Sequence, residues 1–282
     1  MKQQIILGTD EAGYGPNLGP LVVSLTTWET RAEDLSCLFD ALKNADIPLG
    51  DSKKIYHRGA MDALETGVLV PLQTLGKNIP PIANDEKKMS RLAIAFKTVL
   101  QQHKVTLTDM QYRSVEPKEF NQLLDRFDSK GTLLSQMTLR LIADKIASFS
   151  QDNPLPILVL CDKHGGRNHY LDLLTEFFPE VFIQTVKQSR ESSVYRLTPS
   201  GRQLEFRFLA KGESHVPIAL ASMLSKYQRE LAMIQFNAFW RSHIPDLHPT
   251  AGYPEDAKRF KAEVADVQKQ LGIPDDDLWR RR

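Results

Sequence analysis

The amino-acid sequence predicts an α/β fold in which a mixed central β-sheet is flanked by helices and followed by a helical C-terminal appendage. Three observations predict it: short apolar runs that end in carboxylates, longer segments with apolar residues at helical spacing, and two alternating runs joined by turn residues. The chain has 282 residues, of which 41% are apolar and 25% charged, enough for a packed core. Collagen-like, low-complexity and disordered classes are thereby excluded.

Charge and cysteine content narrow the possible functions. The formal net charge is only +1, so binding of a polyanion has to come from a local basic patch. Cys37 and Cys161 belong to no CxxC pair, which excludes a zinc knuckle or a disulfide framework and indicates a reducing compartment. Since no signal peptide or membrane span is recognisable, we expect a cytoplasmic protein without membrane contact.

The first predicted elements are two strands around a glycine-rich connection. Apolar residues 5–7 begin a strand that ends at Asp10, and residues 21–28 form the next strand. Three glycines and two prolines lie between residues 13 and 20, a segment called the glycine loop below. Such a composition indicates a sharp turn or a close approach of the backbone to a ligand.

Two helices and a buried strand are predicted in the middle of the chain. Apolar residues recur at helical spacing over residues 89–100 and again over residues 134–146. Residues 157–161 form a short apolar run that follows Pro156 and ends at Asp162. This pattern is typical of a buried strand that carries a carboxylate at its C-terminal end.

A hairpin and two further helices are predicted in the last third. Alternation over residues 194–208, interrupted by Pro-Ser-Gly-Arg, predicts the hairpin. Ser214 is expected to cap the following helix, with Pro217 in its first turn and an apolar stripe over residues 220–234. Residues 260–271 predict one more helix.

Four acidic residues carry the candidate chemistry. Asp10 and Glu11 follow the first strand, Asp162 ends the buried strand, and Glu213 stands beside a helix start. The first pair alone is equally typical of a solvated loop or a helix N-cap. All four are expected to converge at one sheet edge, where they repel one another unless divalent cations neutralise them. Mg²⁺ or Mn²⁺ is therefore expected, and two such ions suit phosphodiester hydrolysis.

Short motifs in a fixed order extend this interpretation. They are DEAGYGP at residues 10–16, GPLVV at 19–23, DSKK at 51–54, the strand that ends at Asp162, KGE at 211–213, ASMLSK at 221–226, and GYP at 252–254. The combination resembles the type 2 ribonucleases H (RNase HII), which usually have DEAGRGP, GPxVV, DSKK, KGD and ASIxAK. On this resemblance the chain is identified as a divergent member of that family in the RNase H-like superfamily.

The resemblance implies an RNase H-like fold and an activity. Residues 1–235 would form the catalytic domain, with a helical insertion at about 56–104, and residues 236–282 the C-terminal appendage. The implied reaction is endonucleolytic hydrolysis of the RNA strand of RNA/DNA hybrids with two divalent ions, Mg²⁺ or Mn²⁺. The implied partner is a hybrid or a ribonucleotide-containing duplex, with no obligate protein partner.

The resemblance also assigns residues. Asp10, Glu11, Asp162 and Glu213 would be both catalytic and metal-binding. The nucleic-acid-binding residues would be Gly13, Tyr14, Gly15, Lys53, Lys211, Ser222 and Tyr253. Two residues depart from the family pattern: Glu213 stands where the family usually has Asp, and Tyr14 replaces an Arg or Lys that would meet a phosphate.

Alternatives and accessory groups complete the sequence-based expectations. A binding protein that has lost catalysis, or a nuclease on the same fold with another nucleic-acid substrate, fits the same residues. A dinucleotide site is excluded because the glycine spacing misses GxGxxG.

Local basic clusters are Lys53, Lys54, His57 and Arg58, then Lys163 and Arg167, then Lys187 and Arg190. Residues 280–282 are expected to form a loose tail.

Overall fold

The computed structural model describes residues 3–32, 34–56, 61–77, 79–150, 152 and 154–281. Within these ranges the chain forms seven strands and ten α-helices. In chain order they are β1 (Gln4–Ala12), β2 (Leu21–Thr30), α1 (Cys37–Asn44), α2 (Ser52–Ile55), α3 (Asp62–Thr74), α4 (Glu86–Gln102), β3 (Val105–Val115), α5 (Pro117–Phe127), α6 (Lys130–Ala147), β4 (Ile157–Asp162), α7 (Leu171–Phe177), β5 (Gln184–Gln188), β6 (Ser192–Leu197), β7 (Leu204–Leu209), α8 (Val216–His243), α9 (Pro254–Gln270) and α10 (Asp275–Leu278).

The seven strands form one mixed sheet in the order β3-β2-β1-β4-β7-β6-β5. The three central strands β1, β4 and β7 run parallel to one another, and the outer pairs are antiparallel. The mixed sheet with flanking helices predicted from the sequence is confirmed.

Strand β3 was absent from the sequence-based prediction. Its buried residues include Leu107 and Met110, three positions apart, and the ladder to β2 shifts register between Thr27 and Trp28. A bulge of this kind interrupts the two-residue period by which a strand is recognised in sequence.

Strands β1 and β4 are buried on both faces, which explains their continuous apolar runs. On β1, Ile6 packs in the cluster that includes residues of α3, α4 and α8. Ile5 and Leu7 point to the opposite face, toward α6 and α7. The C-terminal ends of β1 and β4 are therefore held in a sheet that is covered by helices on both sides.

Helix α8 lies directly on β1 where Gly8 meets Pro217. A Cβ at Gly8 would be 2.3 Å from the Pro217 carbonyl carbon, so only glycine permits this contact. The Thr26 hydroxyl donates to the Pro217 carbonyl at 2.8 Å, and the Ser225 hydroxyl donates to the Asp10 carbonyl at 3.0 Å. These bonds set the position of α8 relative to the end of β1.

The start of α8 differs from the expectation that Ser214 caps it. The helix begins at Val216 after His215, and the Ser214 hydroxyl donates instead to the Lys211 carbonyl at 3.1 Å within a short 3₁₀ turn. With Ser214 as the N-cap, Pro217 would be the third helical residue, and it has no N–H to donate to the cap.

The C-terminal helices pack on the second half of α8 through Trp240, Phe260 and Leu278. Helix α8 is continuous through residue 235, and the division into a catalytic domain and an appendage at that residue stays a prediction.

Helices α3 and α4 fill most of the expected insertion at 56–104, of which residues 57–60 and 78 lie outside the described ranges. Among the described helices, none is long and apolar enough to cross a membrane.

A candidate carboxylate and nucleic-acid site

The structure brings the residues singled out from the sequence to the wall of one cavity of about 1110 Å³. Lining it are Asp10, Glu11, Gly13, Tyr14, Gly15, Lys53, Asp162, Lys211, Glu213, Ser222 and Tyr253. They come from six separate segments between β1 and the start of α9. The structure shows that these residues line one cavity, while their roles stay predictions.

The parallel strands explain why the acids meet. Asp10 and Glu11 lie at the C-terminal end of β1, and Asp162 is the last residue of β4. These strands pair in parallel, with Thr9 opposite Cys161. Glu213 lies in the 3₁₀ turn that follows β7, the parallel neighbour of β4. All four acids thus lie at one edge of the sheet.

Two serines hold the Glu213 carboxylate. Its Oε1 atom accepts hydrogen bonds from the hydroxyls of Ser222 at 2.5 Å and Ser52 at 3.2 Å, and the two hydroxyl oxygens are 2.9 Å apart. Ser52 belongs to the short helix α2 and Ser222 to α8. The hydroxyls therefore join the DSKK segment to the acid at the opposite wall.

The Asp162 carboxylate is held by backbone. Its Oδ1 atom accepts from the Gly212 N–H at 2.8 Å. A Cβ at Gly212 would lie 3.0 Å from that oxygen and 2.7 Å from the Ile218 side chain. Lys211, the preceding residue, has a left-handed backbone with φ of 61°. The Lys211-Gly212 turn thus brings an amide donor to Asp162.

Burial and mutual repulsion raise the pKa values of Asp10, Glu11 and Asp162. Burial, followed by the charges of Glu11 and Asp162, holds the pKa of Asp10 well above its ordinary value. Burial and the charge of Asp162 raise the pKa of Glu11 to about 7. Burial also raises the pKa of Asp162, although the Gly212 N–H opposes the shift. The Lys53 ammonium lowers the pKa values of Glu11 and Asp162 without offsetting these effects.

The donor chemistry of the cluster fits a divalent cation. Carboxylate oxygens are the ligands that Mg²⁺ and Mn²⁺ prefer, and a cation would remove the repulsion that raises these pKa values. Within the described ranges, no three acidic, His or Cys side chains already form a metal-binding group. The fit to a cation is therefore one of donor chemistry, and the described carboxylates do not by themselves define a coordination shell.

The glycine loop forms the wall beside the acids. Gly13 has a φ of 88°, and a Cβ there would lie 2.4 Å from the Pro20 carbonyl oxygen. Gly15 is exposed, with open space where a Cβ would be, so its backbone is accessible from the cavity. The Tyr14 ring is half-buried, and its hydroxyl lies beside Gly165. Burial and the charge of Glu11 raise the pKa of Tyr14.

Comparison with known proteins supports the fold. No protein-family model and no curated protein matches this sequence. The crystal structure of the ribonuclease H2 from Pyrococcus horikoshii OT3 matches with a TM-score of 0.50 and 17% sequence identity, covering 98% of this chain and 92% of that one. This chain has an RNase H-like fold. The fold that the motifs imply is thereby confirmed.

Two further solved structures are similar over most of this chain. The RNase HII of a PCNA:RNase HII complex from Archaeoglobus fulgidus has 15% identity and a TM-score of 0.46, covering 99% of this chain and 94% of that one. The Bst-RNase HIII in complex with Mn²⁺ has 18% identity and a TM-score of 0.45, covering 98% of this chain and 66% of that one.

Two arginines beneath the glycine loop had no role in the sequence-based prediction. The Arg229 guanidinium is buried and donates to the Ala251 carbonyl at 2.9 Å and, at 3.3 and 3.4 Å, to the carbonyls of Pro20 and Leu18. The sequence signal at this position is the Arg229-Glu230 pair, which resembles an RD pair of the type 2 ribonucleases H.

The expectation of a loose tail at residues 280–282 is wrong for Arg280 and Arg281. Arg280 is 0% exposed and donates to the Gly13 carbonyl at 2.7 Å and to the Pro16 carbonyl. The Arg281 guanidinium donates to an Asp125 oxygen at 2.7 Å. Arg282 lies outside the described residues. Nothing local in the sequence indicates these contacts, because the partners of Arg280 are backbone carbonyls more than 260 positions away.

The remaining candidate binding residues, Tyr253 and the basic clusters, differ in how accessible their side chains are. Tyr253 precedes α9 with its side chain 56% exposed at the cavity, and the neighbouring Gly252 carbonyl accepts from the Asn17 N–H at 2.7 Å. Lys163 is buried, and its ammonium donates to Asn168 and to the Ser189 carbonyl, so it does not serve a binding surface. His57 and Arg58 lie outside the described residues.

Proposed function

We propose that this protein is a divalent-metal-dependent endoribonuclease that hydrolyses the RNA strand of RNA/DNA hybrids. The observation that carries the proposal is the group of four acids, three with raised pKa values, in one cavity of an RNase H-like fold. Clusters of this kind are costly unless a cation binds them, and perturbed carboxyl groups in a cleft are typical of catalytic sites.

The proposed ligands are Asp10, Glu11, Asp162 and Glu213. Bound Mg²⁺ or Mn²⁺, two ions in the full site, would supply neutralisation of the phosphodiester charge and activation of water. The Ser52 and Ser222 hydroxyls restrict the orientation of the Glu213 carboxylate, and the Gly212 N–H does the same for Asp162. These bonds reduce the conformational freedom that the acids would lose on binding a cation.

The proposed nucleic-acid contacts surround the acids. Gly13 and Gly15 would offer backbone to a ribose 2′-hydroxyl: open space lies where a Cβ of Gly15 would be, and the glycine at 13 lets the loop pack against the Pro20 carbonyl. Lys53 and Lys211 would meet phosphates, and the exposed Tyr253 ring would stack on a sugar or base. Tyr14 would contribute contact without a charge. We expect the chain to act in the cytoplasm without an obligate protein partner.

The test is a cleavage assay with four labelled duplexes: an RNA/DNA hybrid, DNA with a single ribonucleotide, double-stranded DNA and double-stranded RNA. The purified chain is expected to cut the hybrid in Mg²⁺ or Mn²⁺ and to be inactive in EDTA. The matched control is Glu213→Gln, which keeps the shape of the side chain and weakens its affinity for a cation.

Other outcomes separate the alternatives. Tight binding of the hybrid with no cleavage in either metal would favour a binding protein on this fold. Cleavage of double-stranded DNA with an intact hybrid would favour another nuclease.

A further inference from the structure

The C-terminal segment after α10 is bound to the glycine loop. The Arg280 N–H donates to the Asn17 carbonyl at 2.8 Å, and the Asn17 side-chain amide donates to the Arg280 carbonyl at 3.0 Å. On the other side, the Asn121 side chain accepts from the Arg281 N–H at 2.8 Å and donates to the Trp279 carbonyl at 2.9 Å. The backbone at residue 280 is thus fixed between the glycine loop and helix α5.

These backbone contacts direct the Arg280 side chain under the loop. Its Nη2 atom donates to the Gly13 and Pro16 carbonyls, and the guanidinium carbon is 4.8 Å from the centre of the Phe120 ring. Within the described part of the chain, its Nε and Nη1 atoms have no hydrogen-bond partner. Burial and the nearby Arg229 lower the pKa of Arg280 to about 9, so the group is still charged at neutral pH.

Burial of the Arg280 guanidinium against carbonyl oxygens is energetically unfavourable if its role is only to hold the C-terminal segment in place. Desolvation of a guanidinium is unfavourable, and carbonyl groups offset it less well than a carboxylate does. Arg280 and Arg229 both bind carbonyls of residues 13–20, so two positive charges lie beneath one short loop. Their electrostatic effect is favourable for an anion on the other side of that loop.

The bond to the Gly13 carbonyl also sets the direction of the next amide. In a trans peptide the C=O and N–H point in opposite directions, so the Tyr14 N–H is directed away from the buried guanidinium. Residues 13–16 line the cavity. Holding the carbonyls on the buried side therefore leaves the opposite side of this peptide for a ligand.

We propose that Arg280 is a positioning residue: it holds the glycine loop in the form that receives the phosphodiester backbone and, with Arg229, supplies from behind the loop the positive charge that Tyr14 lacks. The substrate named in this proposal rests on the proposed function. The role of Arg280 in holding the glycine loop rests on the geometry alone.

The first test is steady-state cleavage of an RNA/DNA hybrid by the full chain at two salt concentrations. Arg280→Gln is expected to raise KM by about 10-fold and to change kcat by less than about 3-fold, because it weakens substrate binding and leaves the acids in place. It should also reduce the dependence of KM on salt, since a positive charge near the substrate backbone is lost. Arg280→Lys should retain that salt dependence.

Arg281→Gln is the matched control. Arg281 is the next residue of the same segment, and its side chain binds α5 rather than the loop. KM and kcat should stay within about 2-fold of the wild type, since the loop contacts of Arg280 persist. An equal rise of KM in both variants would overturn the proposal, because any loosening of the segment would then suffice.

The second test needs no substrate. Amide hydrogen exchange of Asn17 and Leu18, whose N–H groups donate to the Gly252 carbonyl, should be faster in Arg280→Gln and unchanged in Arg281→Gln. Faster exchange in a protein whose wild type neither binds nor cuts a hybrid would support the loop role and contradict the proposed function. An active wild type with unchanged KM and exchange in Arg280→Gln would overturn the positioning role. If Arg280→Gln fails to fold, KM and amide exchange are measured on Arg280→Lys instead. This variant keeps the positive charge and loses the planar guanidinium.

Discussion

At the scale of single residues, Asp10 is a buried carboxyl group beside two other acids, Glu11 and Asp162. Burial and the charges of Glu11 and Asp162 favour its protonated form, and the nearby Ser222 hydroxyl and the Glu11 backbone oppose them more weakly. Its ionised form is therefore a source of instability in the metal-free protein and, by our proposal, a metal ligand.

Asp10→Asn is expected to reduce hybrid cleavage by at least about 100-fold and to stabilise the metal-free fold by about 1 kcal/mol, because one repelling charge is removed. Cleavage in Mg²⁺ and Mn²⁺ and thermal unfolding in EDTA measure the two effects. Asp172→Asn, on the exposed face of α7, is the control and should change neither. Undiminished turnover of the Asp10→Asn variant would show that Asp10 is not a ligand.

Tyr14 is the residue that departs most clearly from the family pattern. Its half-buried ring packs against a hydrophobic cluster formed by residues of β2, β3, α5 and α6, and its hydroxyl lies near Gly165. An aromatic ring there contributes stacking or packing but no charge for the phosphate next to a ribonucleotide.

We therefore predict weak incision at a lone ribonucleotide in duplex DNA and better cutting of longer RNA tracts. Tyr14→Arg should raise incision at the lone ribonucleotide several-fold more than cleavage of an extended hybrid, measured at matched salt. Tyr14→Phe, which removes only the hydroxyl, is the control and should not change this ratio. Equal efficiency of the wild type on both substrates would refute this interpretation.

At the scale of elements, the contact between β1 and α8 determines the geometry of the cavity. Gly8 lies two residues before Asp10, and its backbone touches Pro217 in the first turn of α8. Ser222 lies further along this helix and Glu213 just before it. A shift of α8 away from β1 would therefore move two walls of the site together.

Gly8→Ala is expected to destabilise the protein by about 1–3 kcal/mol, because its Cβ would overlap the Pro217 backbone, which cannot rotate away. Hybrid cleavage should fall by more than the loss of folded protein explains. Gly50→Ala is the matched control: its Cβ would make an ordinary contact, 3.7 Å from Ile55. Thermal unfolding and cleavage by the soluble fraction measure both variants, and wild-type behaviour of Gly8→Ala would contradict the described packing.

The elements predicted from sequence were those with a local pattern. Strands β1, β2 and β4 were recognised because both of their faces are buried, and α4 and α6 because one face is. Strand β3 was missed since its bulge interrupts the alternation, and the cap at Ser214 was misplaced because Pro217 removes the amide that it would bind.

At the scale of the whole molecule, the fold gathers carboxylates from three parts of the chain against their mutual repulsion. The raised pKa values of Asp10, Glu11 and Asp162 mean that the folded state binds protons that the unfolded state has lost. The free energy of unfolding of the metal-free protein should therefore decrease as pH rises from about 4.5 through about 7.

Divalent metal is expected to reverse this loss. Since a cation binds the ionised carboxylates, the rise in melting temperature from EDTA to saturating Mn²⁺ should be larger at about pH 8 than at about pH 5.5. Glu11→Gln is the control and should reduce the difference between the two pH values. An equal rise at both pH values would indicate that the metal binds elsewhere.

The sequence by itself determined the positions of the four acids at the ends of predicted strands and turns, the glycine loop, and the order of motifs that resembles type 2 ribonucleases H. These features are local, because a strand end, a turn or a short motif is defined by neighbouring residues. The tertiary structure alone decided that Ser52 and Ser222 share an oxygen of Glu213 and that Arg280 supports the glycine loop. A backbone carbonyl accepts a hydrogen bond from any donor that the fold brings to it, so the residues around it carry no signature of a partner more than 260 positions away.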